Sequence, residues 1–223
     1  LLTQHQDSLE YLETCNIKIS ENIYETIFTK LKLKALRFDP QSLPKNALFY
    51  SALPLNFHLK KLVLDANVEN LTATQGLLQI YKDIEHLEIT NWNSEMANDV
   101  LAYIINNLKH LKKLKLPQIY ANPPELAIPT LKKLHIVTVD DMDSFQAFIN
   151  QQLNLTDLSI SYFMRNNNIG LEAVTTHLPN LTQITMGASR NFVIPTKNSI
   201  ELMKRNCPNL KKINLFKQII DVD

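Results

Sequence analysis

Residues 207–215 read CPNLKKINL, and the way this stretch is divided decides the fold. Its core, NLKKINL at 209–215, follows a helix-like run, SIELMKRN at 199–206, and has relatives along the chain: HLKKLVL at 58–64, HLKKLKL at 110–116, TLKKLHI at 130–136 and NLTDLSI at 154–160. Working outward with the pattern L-x-x-L-x-L, Ile, Met or Phe allowed, gives starts at Leu9, Leu33, Leu59, Ile84, Leu111, Leu131, Leu155, Leu181 and Leu210. The spacings are 24, 26, 25, 27, 20, 24, 26 and 29 residues. One match means little in a chain that is 45% hydrophobic, but nine in register define a repeat.

The chemistry of one unit explains the period. In LKKLKL, Leu114 and Leu116 are two residues apart and share one face of a strand, while Lys113 and Lys115 share the other. Between strands the spacing becomes helical: Leu101, Ile104, Ile105 and Leu108 form one apolar stripe, Leu171, Val174 and Leu178 another, and Ile200, Met203 and Cys207 a third. Ser94 and Ser144 are expected as N-caps of their helices. A lone strand–helix unit cannot bury its apolar face, so neighbours must stack and share a core. The spacings fall in the leucine-rich-repeat range of 20–29 residues. The expected fold is therefore α/β: one leucine-rich-repeat solenoid over residues 1–223, a right-handed horseshoe of about nine repeats with a concave parallel sheet and convex helices. Two units depart from the pattern. The segment PQIYANPPELAIPT at 117–130 carries four prolines and predicts an extended connection that tightens or flattens the arc. The first unit has Thr14 at an apolar position and reads as an edge.

At 204–215 (KRNCPNLKKINL) and 176–186 (THLPNLTQITM) the chain resembles the cysteine-containing, F-box-type leucine-rich repeats, whose helices end in a CPNL or LPNL turn before the next strand. That resemblance implies a substrate-binding array that an N-terminal F-box links to a Skp-type adaptor and a cullin ubiquitin ligase. No F-box occurs in these residues, and the sequence begins at Leu1 without methionine and reads as a trimmed fragment, so ligase recruitment would depend on residues upstream of Leu1. The regular Asn or Cys at the ninth repeat position is also missing.

Composition narrows the partner classes. Twenty-three basic against 22 acidic residues give no overall bias toward nucleic acid or an anionic membrane. No apolar run approaches the roughly 18 residues of a membrane span, and no signal peptide is present. Cys15 and Cys207 match no metal or redox motif, which suits a cytoplasmic or nuclear protein.

In each repeat the third, fifth and seventh positions are expected to face the concave solvent. The third and fifth positions place Lys61, His86, Lys113, Lys115, Lys133 and His135 together across repeats three to six, with Glu88 the one acid among them. Such a patch suits an acidic or phosphorylated protein segment; exposed lysines also coexist without a partner, because like charges about 5 Å apart repel by only about 0.8 kcal/mol in water. Among aromatics near strand ends, Trp92, Tyr162 and Phe216 are candidate anchors, Trp92 foremost because it follows Thr90 and Asn91 directly out of a strand.

Catalytic patterns are missing. His86 and His135 sit two strands apart, roughly 10 Å, too far to share a metal. Asp140, Asp141 and Asp143 read as acids at a helix N-terminus rather than as a cation site. The glycines Gly76, Gly170 and Gly187 form no phosphate-cradling loop, and neither cysteine belongs to a nucleophile signature. NLT sequons begin at Asn70, Asn154 and Asn180; the last two immediately precede repeat leucines and read as structural. The sequence thus points to a non-enzymatic protein-recognition module without cofactor or metal, the substrate-binding part of an F-box-like ligase subunit. The alternative is a secreted or host-directed effector or receptor ectodomain that imitates one.

Overall fold

The computed structural model describes residues 7–14, 19–38, 47–68, 71–92, 94–163, 178–187, 197–215 and 218–221. The chain divides into two compact units, Leu1–Leu111 and Lys112–Asp223. Both are built from one strand type. β1 (Tyr11–Thr14), β2 (Ala35–Phe38), β3 (Lys61–Val68) and β4 (His86–Trp92) belong to the first unit; β5 (Lys113–Gln118), β6 (Lys133–Val139), β7 (Asp157–Phe163), β8 (Gln183–Met186) and β9 (Lys212–Leu215) to the second. Every one of these nine strands begins at the third position of a repeat, two residues after the leucine that opens it. The architecture is that of the α/β leucine-rich-repeat class.

Among the described residues, helices occupy six of the intervals between strands. The first unit holds α1 (Glu21–Thr29), α2 (Ala47–Ser51), α3 (Leu71–Ile80) and α4 (Ser94–Asn107), and the second α5 (Met142–Ile149) and α6 (Lys197–Asn206). The stripe Leu101, Ile104, Ile105 and Leu108 is buried, as are Met203 and Cys207, while Ile200 is half-buried. Leu178 is buried too, and its expected stripe partners Leu171 and Val174 lie outside the described residues.

Within the first unit β1, β2, β3 and β4 pair in parallel in that order, and the register is the repeat register: Ala35, Lys61 and His86 oppose one another, then Leu36, Leu62 and Leu87. Within the second, β5 to β9 pair likewise, with Lys113, Lys133, Asp157, Gln183 and Lys212 in one row and Leu114, Leu134, Leu158, Ile184 and Ile213 in the next. A further strand, β10 (Gln218–Asp221), returns antiparallel along β9. A one-residue slip would turn the whole apolar row to water, so burial of the leucines fixes this register. Leu114, Leu116, Leu158 and Ile160 have no measurable exposure, and each such side chain contributes about 1.5–3 kcal/mol of transfer free energy.

Backbone hydrogen bonds between repeats are equally periodic. The carbonyl at the second repeat position accepts two amides from the next repeat: Lys60 O from Glu85 and His86, Lys132 O from Thr156 and Asp157, Thr156 O from Thr182 and Gln183. The amide of the opening leucine in turn donates to the carbonyl three residues earlier, as in Leu155 to Gln152, Leu181 to Leu178 and Leu210 to Cys207 at 3.0, 3.1 and 2.9 Å, the pattern of a tight turn. Asparagines one residue before the leucine extend this ladder: Asn154, Asn180 and Asn209 donate through Nδ2 to the carbonyls of Pro129, Leu153 and Pro179 at 2.9, 3.0 and 3.1 Å. Asn154 and Asn180 are therefore structural in this geometry, and Thr156 and Thr182, the threonines of their sequons, also donate to carbonyls of the preceding repeat. Asn70 lies outside the described residues.

Local expectations meet two outcomes. Residues 119–132 contain no helix or strand, in keeping with the prolines; Ile119 and Ile128 are buried, and Asn122 takes a left-handed turn conformation at φ 55°. The N-cap of α5 is Asp141, not Ser144. The Asp141 carboxylate accepts the Asp143 amide at 3.2 Å and the Ser144 hydroxyl, so Ser144 sits inside the first turn and is buried there. A carboxylate caps better at this end because it also meets the positive pole of the helix dipole. Ser94 is the first helical residue of α4. Thr14, at its apolar position, is buried against the first unit, where β1 pairs only with β2 among the described residues.

Candidate functional site

The second unit brings Lys113, Lys115, Lys133 and His135 together. Alternation along β5 and β6 sends Leu114, Leu116, Leu134 and Ile136 into the core and leaves the intervening side chains on the open face. Lys113 opposes Lys133, and Lys115 opposes His135. One strand further, Asp157 opposes Lys133 and Ser159 opposes His135. Lys113, Lys133, Leu134, His135, Asp157 and Ser159 line a pocket of about 250 Å³ open to solvent.

The charges in this pocket are not equivalent. Lys133 Nζ lies 3.0 Å from Asp157 Oδ2, an ion pair with the lysine more than half exposed. Lys113 makes no ion pair among the described residues. The His135 ring is fixed by a 2.8 Å hydrogen bond between Nε2 and Ser161 Oγ, a residue two positions further along β7 than Ser159. Beyond Asp157 the open face carries amides and a hydroxyl, with Lys212 opposing Gln183 on β9: Gln183 and Asn214 both donate to Thr185 Oγ1, at 3.3 and 3.1 Å. The face thus passes from lysines on β5 and β6 to amides and hydroxyls on β8 and β9, with a single lysine, Lys212, on β9.

The other two basic residues of the expected patch, Lys61 and His86, belong to the first unit, where they oppose each other on β3 and β4. Both are half-buried, as is Glu88 on β4. The rest of that face is not basic, because Val63 is buried and Arg37 lies 3.6 Å from Glu13.

Trp92 is not an exposed anchor. Its side chain is 3% exposed, and it holds the ninth repeat position, as do the buried Ile119 and Val139. Large apolar side chains there close the C-terminal end of the strand layer, where the resembled repeats carry Asn or Cys. Comparing ninth positions, rather than reading Trp92 as emerging directly from a strand, reveals this in the sequence. Tyr162, at the eighth position, is 54% exposed and follows Ser161 directly on β7. Phe216 lies outside the described residues.

Sequence reasoning missed three participants: Asp157, Ser159 and Ser161. Asp157 and Ser159 occupy the same third and fifth positions as the lysines, one repeat further on, so the signal was present and the patch was ended one repeat too early. Ser161 requires the diagonal of the sheet to be read, since it meets His135 from two positions along. Burial pushes the Cys207 thiol up to about 11, which keeps it protonated and a poor nucleophile. Among the described residues no group of three His, Cys, Asp or Glu side chains is placed to hold a metal ion, and no helix is long and apolar enough to cross a membrane.

Comparison with protein-family models finds no match, and comparison with curated proteins finds none either. Among solved structures, the chain is similar to a chain in the crystal structure of the Rad7 and Elc1 complex in yeast, at 16% identity and a TM-score of 0.42. The match covers 97% of this chain and 65% of that one, so the present chain spans about two thirds of its length.

Proposed function

We propose that this chain is a non-enzymatic protein-recognition module that captures its partner on the open sheet face of the second unit. The observation that carries the reading is the pairing of Lys113 with Lys133 on adjacent strands, beside Lys115 and His135, around a solvent-open pocket. Parallel strands bury the leucines and leave a row of interchangeable side chains at fixed spacing of about 4.8 Å, which suits recognition of an extended segment. Tyr162 supplies an exposed aromatic on the same unit. The non-enzymatic reading is supported by the surroundings of the His135–Ser161 contact: Asp157 is bound to Lys133, whereas a Ser–His–Asp relay needs its carboxylate on the imidazole.

The partner class follows from the CPNL and LPNL turns, which resemble those of F-box-type repeats: a substrate presented for ubiquitin transfer, with a Skp-type adaptor recruited by residues outside this sequence. Affinity purification of the full-length protein tests both levels. The triple variant K113E/K115E/K133E, folded by circular dichroism, is expected to lose a partner that the parent captures, and undiminished capture would refute the surface. Recovery of an adaptor and a cullin supports the ligase assignment; their absence from a chain that carries an F-box removes it.

A further inference from the structure

Resting on that recognition reading, we infer that the pocket between β5 and β7 binds a phosphorylated side chain of the partner, a phosphate monoester dianion, in preference to an ordinary carboxylate. Its volume, about 250 Å³, lies below the roughly 300–1,000 Å³ of sites for drug-sized ligands and cofactors, so it admits one side-chain-sized group. Its charge selects among such groups. Lys133 already has a carboxylate, that of Asp157 at 3.0 Å, and Lys113 opposes it one strand away with no acid of its own among the described residues. A monoanionic Asp or Glu from a partner matches Lys113 alone, and must displace Asp157 to gain a second lysine.

A phosphate monoester carries about −1.5 to −2 charges at pH 7 and three acceptor oxygens, enough to engage Lys113 and Lys133 together. The Ser159 hydroxyl lines the same pocket and supplies a neutral donor, while the Ser161 hydrogen bond holds the His135 ring in place beside it. Asp157 is the selectivity element. Its negative charge disfavours weak anions by occupying Lys133, and a dianion overcomes it by the stronger attraction to two lysines.

Three otherwise identical short peptides carrying phosphoserine, glutamate or serine, titrated by fluorescence anisotropy against the whole chain, test this. The phosphoserine peptide is expected to bind about tenfold tighter than the glutamate peptide, and Lys113→Ala to weaken it about five- to tenfold. Asp157→Asn is expected to strengthen the glutamate peptide more than the phosphoserine peptide and so narrow the gap between them. Equal binding of the three peptides by the parent, or an unchanged gap in Asp157→Asn, overturns the inference. If the peptides bind equally while K113E/K115E/K133E still abolishes partner capture, the phosphate assignment falls and the recognition surface stands; if the phosphoserine preference holds while capture is undiminished, the reverse is true.

Discussion

Gly187 has no room for a side chain, and the reason is proximity rather than backbone angle. No glycine among the described residues has a positive φ, but a Cβ on Gly187 would lie 2.1 Å from the carbonyl oxygen of Ser161. The Gly187 amide already donates to Ile160 O at 2.7 Å, which pins β8 against β7 at this point. Gly187→Ala is therefore expected to destabilise the fold by about 1–3 kcal/mol in urea denaturation. Because the strand that must give way carries Ser161, the same variant should shift the nitrogen resonances of the His135 ring. Cys207 makes a second prediction, about pH. Its thiol titrates at about 11 in the fold against an ordinary 9.0, because the buried site disfavours the thiolate. The protonated form is the one the fold prefers, so this contribution is whole below about pH 9 and is lost as pH rises through about 11. Burial raises Tyr50 and Tyr81 in the same direction. Alkaline titration of stability should show a decline over that window that Cys207→Ala makes shallower, and an unchanged slope would exclude the thiol as a source. At this scale the sequence shows which residues are small or apolar. It does not show that Gly187 touches Ser161, since that contact spans a full repeat.

Two buried amides brace elements that helices alone would leave apart. Asn56 and Gln152 occupy the same repeat position, three residues before the opening leucine, where other repeats place Tyr81, Leu108, Leu178 or Cys207. Asn56 donates to the Phe28 carbonyl at 3.0 Å and accepts the His58 amide at 3.0 Å. Gln152 accepts the Ile128 amide at 2.9 Å and donates to the carbonyls of Leu126 and Phe148, both at 3.2 Å. It thereby ties the helix-free, proline-containing connection to the end of α5. Gln152→Leu keeps the volume near that of the other repeats but leaves those buried backbone groups without partners, which should cost about 1–3 kcal/mol. Hydrogen exchange at the Ile128 amide should accelerate in the same variant; protection equal to the parent would contradict the brace. Elements were read well where one period governed them. Strand starts followed from L-x-x-L-x-L, because the alternation that buries Leu114 and Leu116 is visible in six letters. The braces were not, because a polar residue between apolar runs looks like a loop residue until its carbonyl partners are known. The same limit hid Asp141 as the cap of α5, where a serine and an aspartate three residues apart both satisfied the sequence rule.

Charge is the property that operates on the whole molecule, and here it is balanced globally and uneven locally. The net charge is +1 from 23 basic and 22 acidic residues. In the first unit much of it is paired between neighbouring repeats, Lys32 with Asp7, Lys34 with Glu10, Arg37 with Glu13 and Lys60 with Glu85. Each such exposed pair is worth about 0–1 kcal/mol, so these contacts cancel charge more than they stabilise the fold. In the second unit Asp157 answers Lys133, while Lys113 has no ion pair among the described residues. Composition alone could exclude a general affinity for polyanions and could not locate this excess, which depends on strand register. An anion captured at the Lys113 pocket is held by local charge with little help from the rest of the molecule, and salt should weaken it accordingly. Raising sodium chloride from 0.1 to 1 M shortens the screening length from about 10 to about 3 Å. Binding of the phosphoserine peptide is then expected to weaken about tenfold, whereas the urea midpoint, set by buried leucines, should not fall. Capture that survives 1 M salt undiminished would assign the partner contact to apolar groups such as Tyr162 instead of to the lysines.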